Sequence, residues 1–275
     1  MDQTMTTLDP KTLAQELRGD ILRMTHAAKS GHPGGSLSIA DVLAVLYARF
    51  LSHRPAEPDW PDRDRLVLSK GHAAPALYSA MARTGYFPVE QLLTLRKLGS
   101  PLQGHPDRLR LPGIEASTGS LGQGLSMAIG MALAARMDRR DSHVWCLLGD
   151  GELQEGQVWE AAMSAPKFKL GNLTAIVDLN GYQIDGSVSE VMDIEPIADK
   201  FRAFRWEVCS INGHDLAQIE EALRNAKKRR ELPLAILART VKGKGVSFME
   251  GGCEWHGKAP NSSELAQALE EVSRG

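Results

Sequence analysis

The sequence predicts an α/β protein with a doubly wound, mainly parallel sheet that carries helices on both faces. Helical and strand-like patterns alternate along most of the 275 residues. The strand-like runs are short, apolar and rich in β-branched residues, as expected of strands that are buried on both faces. Strands separated by helices need crossover connections, and such connections produce parallel sheets.

Five apolar runs are the predicted strands, and their lengths suit the interior of a sheet. They cover residues 65–69, 143–149, 173–179, 206–211 and 234–240. Helical periodicity marks residues 13–29, 38–51, 74–85, 124–140, 216–230 and 261–275, and the last stretch opens with a capping Asn/Ser pair. The charged, Pro-rich residues 52–65 are expected to form a surface loop. We expect residues 1–275 to form a single domain.

Composition argues against several classes of function. The formal net charge is −2, which gives no support for binding to nucleic acid or to a membrane surface. No stretch reaches the roughly 18 apolar residues that a membrane span needs, and residues 1–20 lack the apolar centre of a signal peptide. The cysteines at 146, 209 and 253 form no CxxC pair, so we expect reduced thiols and a cytoplasmic protein.

Ligands of parallel sheets bind at the carboxyl ends of the strands, and unusual polar residues follow the apolar runs here. Asp150 stands between two glycines just before a helical stretch. The N–H groups of a helix start suit a phosphate, but an aspartate there repels it unless a cation lies between them. Asn180 ends the next run, and the carbonyl of Tyr182 follows. These oxygens suit a divalent ion that also binds phosphates, so together they predict a metal–diphosphate site. Alone, Asp150 could be a helix cap and Asn180 part of an Asn-Gly turn.

The Gly-Asp-Gly segment, followed about thirty residues later by Asn, resembles the signature of thiamine-diphosphate enzymes. More narrowly, nearly the whole chain resembles the N-terminal part of transketolase. Six motifs in family order carry this resemblance: KSGHPGGSLS at 29–38, SKGHAAPALYS at 69–79, QGHPD at 103–107, STGSLGQGLS at 117–126, the segment 149–186, and TVKGKG through WHGKAP at 240–260. The resemblance implies the diphosphate-binding (PP) domain of the thiamine-diphosphate-binding fold. It implies thiamine diphosphate as cofactor, with Mg²⁺, Ca²⁺ or Mn²⁺ as the ion.

Four of the eight histidines, His32, His72, His105 and His256, stand in loops that contain Gly or Pro. A histidine with no periodic reason to be in a loop is a candidate for function, and neutral imidazole can donate or accept near pH 7. The resemblance implies that His32 and His256 lie over the thiazolium and contact substrate hydroxyls. It places His105 at the donor's terminal hydroxyl and His72 at the diphosphate. We expect ordinary structural roles for the other four: His26, His53, His143 and His214.

The resemblance also implies the remaining site residues. Gly119, Ser120 and Leu121 would line the cofactor, together with His256, and the N–H of Gly151 would bind the diphosphate. Asp150, Asn180 and the carbonyl of Tyr182 would bind the metal, and Asn180 would also contact the cofactor. Two positions depart from the common pattern, since Ser120 replaces a proline and Tyr182 replaces an aliphatic residue. Both contacts are made by the backbone, so both roles are retained.

One element of the transketolase site is not found in this sequence. In the family, a glutamate of a pyrimidine-binding domain activates the cofactor, but no second βα series follows WHGKAP here. Glu152 and Glu155 adjoin the Gly-Asp-Gly segment, at the diphosphate end. The resemblance therefore implies a two-chain transketolase, with a C-terminal subunit that carries the glutamate and a 2+2 heterotetramer. The implied reaction passes a two-carbon ketol unit from a ketose, such as a ketose phosphate, to an aldose.

Three alternatives to this interpretation remain at the level of sequence. One is the α subunit of a 2-oxo acid dehydrogenase, which shares the Gly-Asp-Gly and Asn but does not need the histidines of SGHPGG and WHGKAP. Another is a non-catalytic module that only binds a diphosphate or a partner. The third is a split transketolase specialised for a branched or sulfonated sugar.

Overall fold

A parallel five-stranded sheet forms the centre of the molecule. The computed structural model describes residues 8–228 and 231–274. The strands are β1 (Arg65–Leu68), β2 (Val144–Gly149), β3 (Leu173–Leu179), β4 (Glu207–Asn212) and β5 (Leu234–Arg239). Their order in the sheet is β1-β2-β3-β5-β4, and every neighbouring pair is parallel. The predicted fold class is therefore confirmed.

Helices cover both faces of this sheet. The helices are α1 (Pro10–Ala28), α2 (Pro33–Leu37), α3 (Ala40–Val45), α4 (Ala74–Arg83), α5 (Gln123–Met137), α6 (Gly156–Lys167), α7 (Val188–Met192), α8 (Ile197–Ala203), α9 (Leu216–Ala226) and α10 (Ser262–Arg274). A π-helical turn, Leu46–Phe50, continues α3, and short 3₁₀ segments lie at Gly71–Ala73, Val89–Thr94, Gly151–Gln154 and Glu254–His256.

Alternating strand residues divide the core into two apolar layers. Leu66, Trp145 and Leu147 face a layer formed with α1, α3, α4, α9 and α10. Val67 and Cys146 face the opposite layer, formed with α5, α6 and α8. Right-handed crossovers are expected to place α5, α6 and α8 on one face, because the connections from β1 through β3 to β4 step in one direction, and α9 on the other, because the connection from β4 to β5 steps back.

The predicted elements agree with the structure to within a few residues, and the differences have local causes. Helix α1 begins three residues earlier than predicted, because Asp9 caps it and Pro10 occupies its first turn. Helices α7 and α8 were not predicted, since five and seven residues are too few to show a helical period. The predicted last helical residues 229–230 lie outside the described residues. Cys146 is buried, as expected of a core residue, whereas Cys209 on the edge strand is half-buried.

We predict opposite effects for two alanine substitutions in α5. A Cβ at Gly124 would collide with the Cβ and Oγ of Ser69 at the end of β1, whereas a Cβ at Gly130 meets no atom within 4 Å. Gly124→Ala should lower the free energy of unfolding of the isolated chain by about 1–3 kcal/mol through overpacking. Gly130→Ala should raise it by about 0.5–1 kcal/mol, because alanine favours helix. Urea unfolding of both variants measures this, and equal effects would show that α5 is not seated tightly against β1.

Candidate functional site

The buried carboxylate of Asp178, near the end of β3, joins the ends of several strands. Lys70, just after β1, donates from Nζ to Asp178 Oδ2 at 2.5 Å and to the carbonyl of Gly35 at 3.0 Å. Ser38 donates to the same carboxylate at 2.7 Å, and so does the hydroxyl of Thr240 after β5. Burial is the largest effect on Asp178 and opposes its ionisation, but the Lys70 ammonium and the hydrogen bonds from Lys70, Thr240 and Ser38 together keep the pKa of this carboxyl below its usual value.

The three predicted metal ligands come together at this edge of the sheet. Asp178 also accepts a hydrogen bond of 2.8 Å from Asn180 Nδ2, and the Asn180 amide oxygen accepts one of 3.1 Å from the backbone N–H of Tyr182. The oxygens of Asp150 accept from the backbone N–H groups of Gly151 at 2.8 Å and Gly181 at 2.6 Å. The structure therefore places the Asp150 carboxylate directly beside the Asn180–Tyr182 turn.

The electrostatics at Asp150 favour a bound cation. This side chain is 4% exposed, and burial followed by the nearby Asp178 raises its pKa to about 6. A divalent ion would remove both penalties, and carboxylate, amide and carbonyl oxygens suit a hard cation such as Mg²⁺. Among the described residues, no group of three or more His, Cys, Asp or Glu side chains could hold a metal by itself. An ion here would therefore need further oxygens, such as those of a diphosphate.

The four predicted loop histidines form one cluster. The ring centroid of His32 lies 5.4 Å from that of His72, 5.4 Å from that of His256 and 6.2 Å from that of His105. The rings of His72 and His256 are stacked at 5.1 Å. Loops that are up to 224 residues apart along the chain thus meet at one end of the sheet.

The environment of this cluster keeps its histidines neutral. Burial is the largest cause in each case and lowers the pKa of His32 to about 4 and that of His256 to about 3. The pKa values of His72 and His105 are also lowered. Nearby cations add to this effect, because a second positive charge beside them is unfavourable. At neutral pH the cluster can therefore form hydrogen bonds with hydroxyl groups without carrying charge.

Lys242 was not among the predicted site residues, although it lies between the Asp150–Asn180 edge and the histidines. Its Nζ lies 3.4 Å from the carbonyl oxygen of Tyr182, 3.2 Å from that of Gln183 and 3.1 Å from His256 Nδ1. Burial, and then the charge of Lys70, lower the pKa of Lys242 to about 8. Lys70 in SKGH and Lys242 in TVKGKG each follow the end of a strand by two or three residues, and this position at the carboxyl edge of the sheet could have marked both as site residues.

The predicted cofactor-lining loop passes beside the end of β1. Thr118 donates to the carbonyl of Leu68 at 2.7 Å, and a Cβ at Gly71 would lie 2.8 Å from the backbone nitrogen of Gly119. Gly119 has φ +145°, and a Cβ there would meet the His105 ring at 3.0 Å. Ser120 is exposed, and Leu121 is half-buried. A side chain at Gly119 would thus crowd the histidine cluster.

Two further residues without a predicted role support this edge. Glu152 is buried and accepts from Ser69, from Gly122 N at 2.9 Å and from Gly149 N at 3.1 Å, which ties β1, β2 and the start of α5 together. His214, expected to be structural, accepts from Val241 N at 2.8 Å through Nε2 and donates from Nδ1 to Asp41 Oδ2 at 2.7 Å. It therefore anchors the backbone directly before Lys242.

Comparisons with known proteins agree with this arrangement. Residues 11–273 match the family profile described as "Transketolase, thiamine diphosphate binding domain". A relative from Clostridium sp. (strain MSTE9), 6-deoxy-6-sulfo-D-fructose transketolase subunit SqwG, is 49% identical over 89% of this chain and 89% of its own. One of the subunits of apulose-4-phosphate transketolase from Phocaeicola vulgatus is 42% identical over 94% and 92% of the two chains. The crystal structure of transketolase from Campylobacter jejuni superposes with a TM-score of 0.91 at 39% identity, over 96% of this chain and 42% of that one.

Fold and site together define an α/β domain in which the Asp150–Asn180 edge of a parallel sheet lies beside a cluster of four histidines. The chain belongs to the transketolase family and contains the family's thiamine diphosphate binding domain. The predictions of family, fold and transketolase activity are therefore confirmed, and the 2-oxo acid dehydrogenase alternative is no longer needed as an explanation. Within the described residues, the structure contains no helix of the length and apolarity required to traverse a bilayer.

We predict that Lys70 and Asp178 are strongly coupled. Lys70→Met or Asp178→Asn alone should lower the free energy of unfolding by about 3–5 kcal/mol, because each leaves one polar partner buried without the other. The double variant should lose much less than the sum. A double-mutant cycle from urea unfolding measures the coupling, and Lys258→Met, which breaks an exposed pair with Glu254, should cost less than about 1 kcal/mol. Additive losses would show that the two side chains act independently.

Proposed function

We propose that this chain is the diphosphate-binding subunit of a two-chain transketolase. It transfers a two-carbon ketol unit from a ketose donor to an aldose acceptor when a C-terminal subunit supplies the pyrimidine-binding domain and its glutamate. The observation that carries this proposal is the convergence of His32, His72, His105 and His256 beside the Asp150–Asn180 edge. Relatives of nearly equal length that are named as transketolase subunits support it.

The residues present fit thiamine diphosphate and a divalent ion. Asp150, the Asn180 amide oxygen and the Tyr182 carbonyl would hold Mg²⁺, and Ca²⁺ or Mn²⁺ would suit the same oxygens. The N–H of Gly151 and the side chain of His72 would bind the diphosphate. A Cβ at Gly151 would lie 3.2 Å from Gln183, so a side chain there would crowd this position. Gly119, Ser120, Leu121 and His256 would line the rest of the cofactor. Once bound, the cofactor supplies the carbon nucleophile for ketol transfer.

The protein's own contribution is to orient the sugar and to manage its hydroxyl protons. His32 and His256 are held neutral and would hydrogen bond to hydroxyl and carbonyl oxygens of the donor and acceptor. His105, which is exposed to solvent, would contact the donor's terminal hydroxyl. Neutral imidazoles suit this role because they donate and accept at neutral pH. We further propose that residues 1–275 form one domain and that two copies pair with two partner subunits in the cytoplasm.

Asp150 should be needed for metal-dependent binding of the cofactor. We expect Asp150→Asn to weaken binding of thiamine diphosphate with Mg²⁺ by at least about 10-fold, because even indirect partners of a metal ligand contribute that much. Calorimetric titration of the chain together with its partner subunit measures this. The matched control is Asp185→Asn, an exposed acid on the neighbouring loop after β3. Equal affinities for both variants would contradict the metal site.

A second candidate is a split transketolase that is specialised for a sulfonated or branched sugar. It is favoured by the names of the two relatives described above, which refer to 6-deoxy-6-sulfo-D-fructose and apulose 4-phosphate. Both names indicate a sugar with an anionic group, a sulfonate in one case and a phosphate in the other. The Asp150 edge and the histidine cluster serve either candidate, since they would contact the cofactor and the reacting carbons.

Assays of the reconstituted pair should identify the substrate class. We expect aldose-dependent ketol transfer from fructose 6-phosphate, 6-deoxy-6-sulfo-D-fructose or apulose 4-phosphate, and kcat/KM ranks the three donors. His32→Ala should lower kcat by about 100-fold or more while cofactor affinity stays within a few-fold, because the histidine acts on the sugar. Absence of transfer from every ketose, with the cofactor bound, would favour a non-catalytic binding module instead.

A further inference from the structure

Arg96 is held in an uncommon backbone conformation beside the histidine cluster. Its φ is +59°, in the left-handed region that non-glycine residues seldom occupy, and its backbone N–H donates to the carbonyl of Leu102 at 2.8 Å. A Cβ at Gly104 would lie 2.9 Å from the Arg96 guanidinium carbon. The QGHPD motif therefore has a glycine at the position where a side chain would collide with the guanidinium. Non-glycine residues with a positive φ, such as Arg96, cluster at functional sites.

The guanidinium of Arg96 fixes which nitrogen of His32 carries the proton. Its Nη1 donates to Ser30 Oγ at 2.9 Å. Its Nη2 lies 3.3 Å from His32 Nδ1 and 3.5 Å from the carbonyl oxygen of Gly104. Guanidinium is a donor only, so Nδ1 must accept this hydrogen bond and the proton of neutral His32 must be on Nε2. Nε2 faces Gly257, where a Cβ would be 3.9 Å away. Within the described residues, no hydrogen bond to Nε2 is formed.

We propose that Arg96 is a positioning residue that holds His32 as the neutral Nε2–H tautomer, with this N–H directed at the substrate. The inference rests on the proposed function, in which His32 contacts sugar oxygens. His256 is arranged in the same way, since Lys242 Nζ lies 3.1 Å from its Nδ1. Each of the two histidines thus has a cation at Nδ1 and presents an N–H donor to the sugar.

The charges around His32 show what loss of Arg96 should do. Burial is the first cause of the lowered pKa of His32, and Arg96 is the next. The other groups that face His32 are the Lys242 ammonium and the rings of three histidines: His72, His105 and His256. Without Arg96, one of the two cations and the donor at Nδ1 are both lost, so the pKa should rise and both tautomers should be populated.

Long-range ¹H–¹⁵N spectra of the full chain, labelled at histidine and recorded between pH 5 and 8, test this inference. His32→Gln assigns the signals. We expect wild-type His32 to stay neutral and to show only the Nε2–H tautomer throughout this range, because its pKa is about 4. Arg96→Met should show a tautomer mixture that becomes protonated towards pH 5, because loss of the cation raises the pKa. Arg96→Gly repeats the test with a residue that suits φ +59°, in case the methionine variant folds poorly. Arg108→Met, an exposed arginine on the neighbouring loop, is the matched control and should leave His32 unchanged.

An unchanged tautomer and pKa of His32 in both Arg96 variants would overturn the proposal. The spectra need neither cofactor nor turnover, so this result is independent of whether the transketolase assay succeeds. In the assembled enzyme, loss of Arg96 should lower kcat by about 10-fold and move the acidic limb of the pH profile upward, with little change in cofactor affinity. Arg96→Lys should restore part of the activity, and an equal loss in Arg96→Lys and Arg96→Met would contradict the donor role.

Discussion

The site depends on the hydrogen bonds that surround the buried Asp178 carboxylate. A charge in the interior costs several kcal/mol unless it is paired and fully hydrogen bonded. Asp178 meets this condition with Lys70, Ser38, Asn180 and Thr240, which come from four separate segments of the chain. Because one carboxylate satisfies all four donors, the ends of β1, β3 and β5 are fixed relative to each other.

This arrangement has a direct chemical consequence at the metal-binding edge. The hydrogen bond from Asn180 Nδ2 to Asp178 fixes the orientation of the amide, so that its oxygen points towards the Tyr182 N–H and not towards Asp178. An amide oxygen is the end that a hard cation would need. Burial raises the pKa of Asp150 first, and the Asp178 carboxylate raises it further, so a positive ion beside Asp150 would offset both effects. Stability of the sheet and readiness for the metal therefore come from a single group.

The sequence predicts those parts of the fold and site that a local residue pattern marks. It does not predict the parts that depend on contacts between distant residues. The apolar runs of β1, β2 and β3 end where the polar motifs begin, and the cluster histidines stand in Gly- and Pro-bearing loops. The position of β5 between β3 and β4 was not predictable, since alternating strands and helices fit several strand orders. Glu152 and Asp178 were missed, because a buried charge is recognisable only once its partners are known. Sequence spacing gave no indication that Asp178 faces Lys70, which lies 108 residues earlier.

The exposure of the site changes from one end to the other. Lys70 is 1% exposed and Asp150 is 4% exposed, whereas Ile184 on the adjoining loop is 66% exposed and His105 is also exposed. The Asp150 side of the site is thus enclosed by this chain, while Ile184 and His105 are open to solvent. Hydrogen bonds to a sugar are strongest where water is excluded, so a surface that covers Ile184 and His105 would complete the site. This is the surface that the proposed partner subunit would cover, because the glutamate that activates the cofactor must approach from the open side.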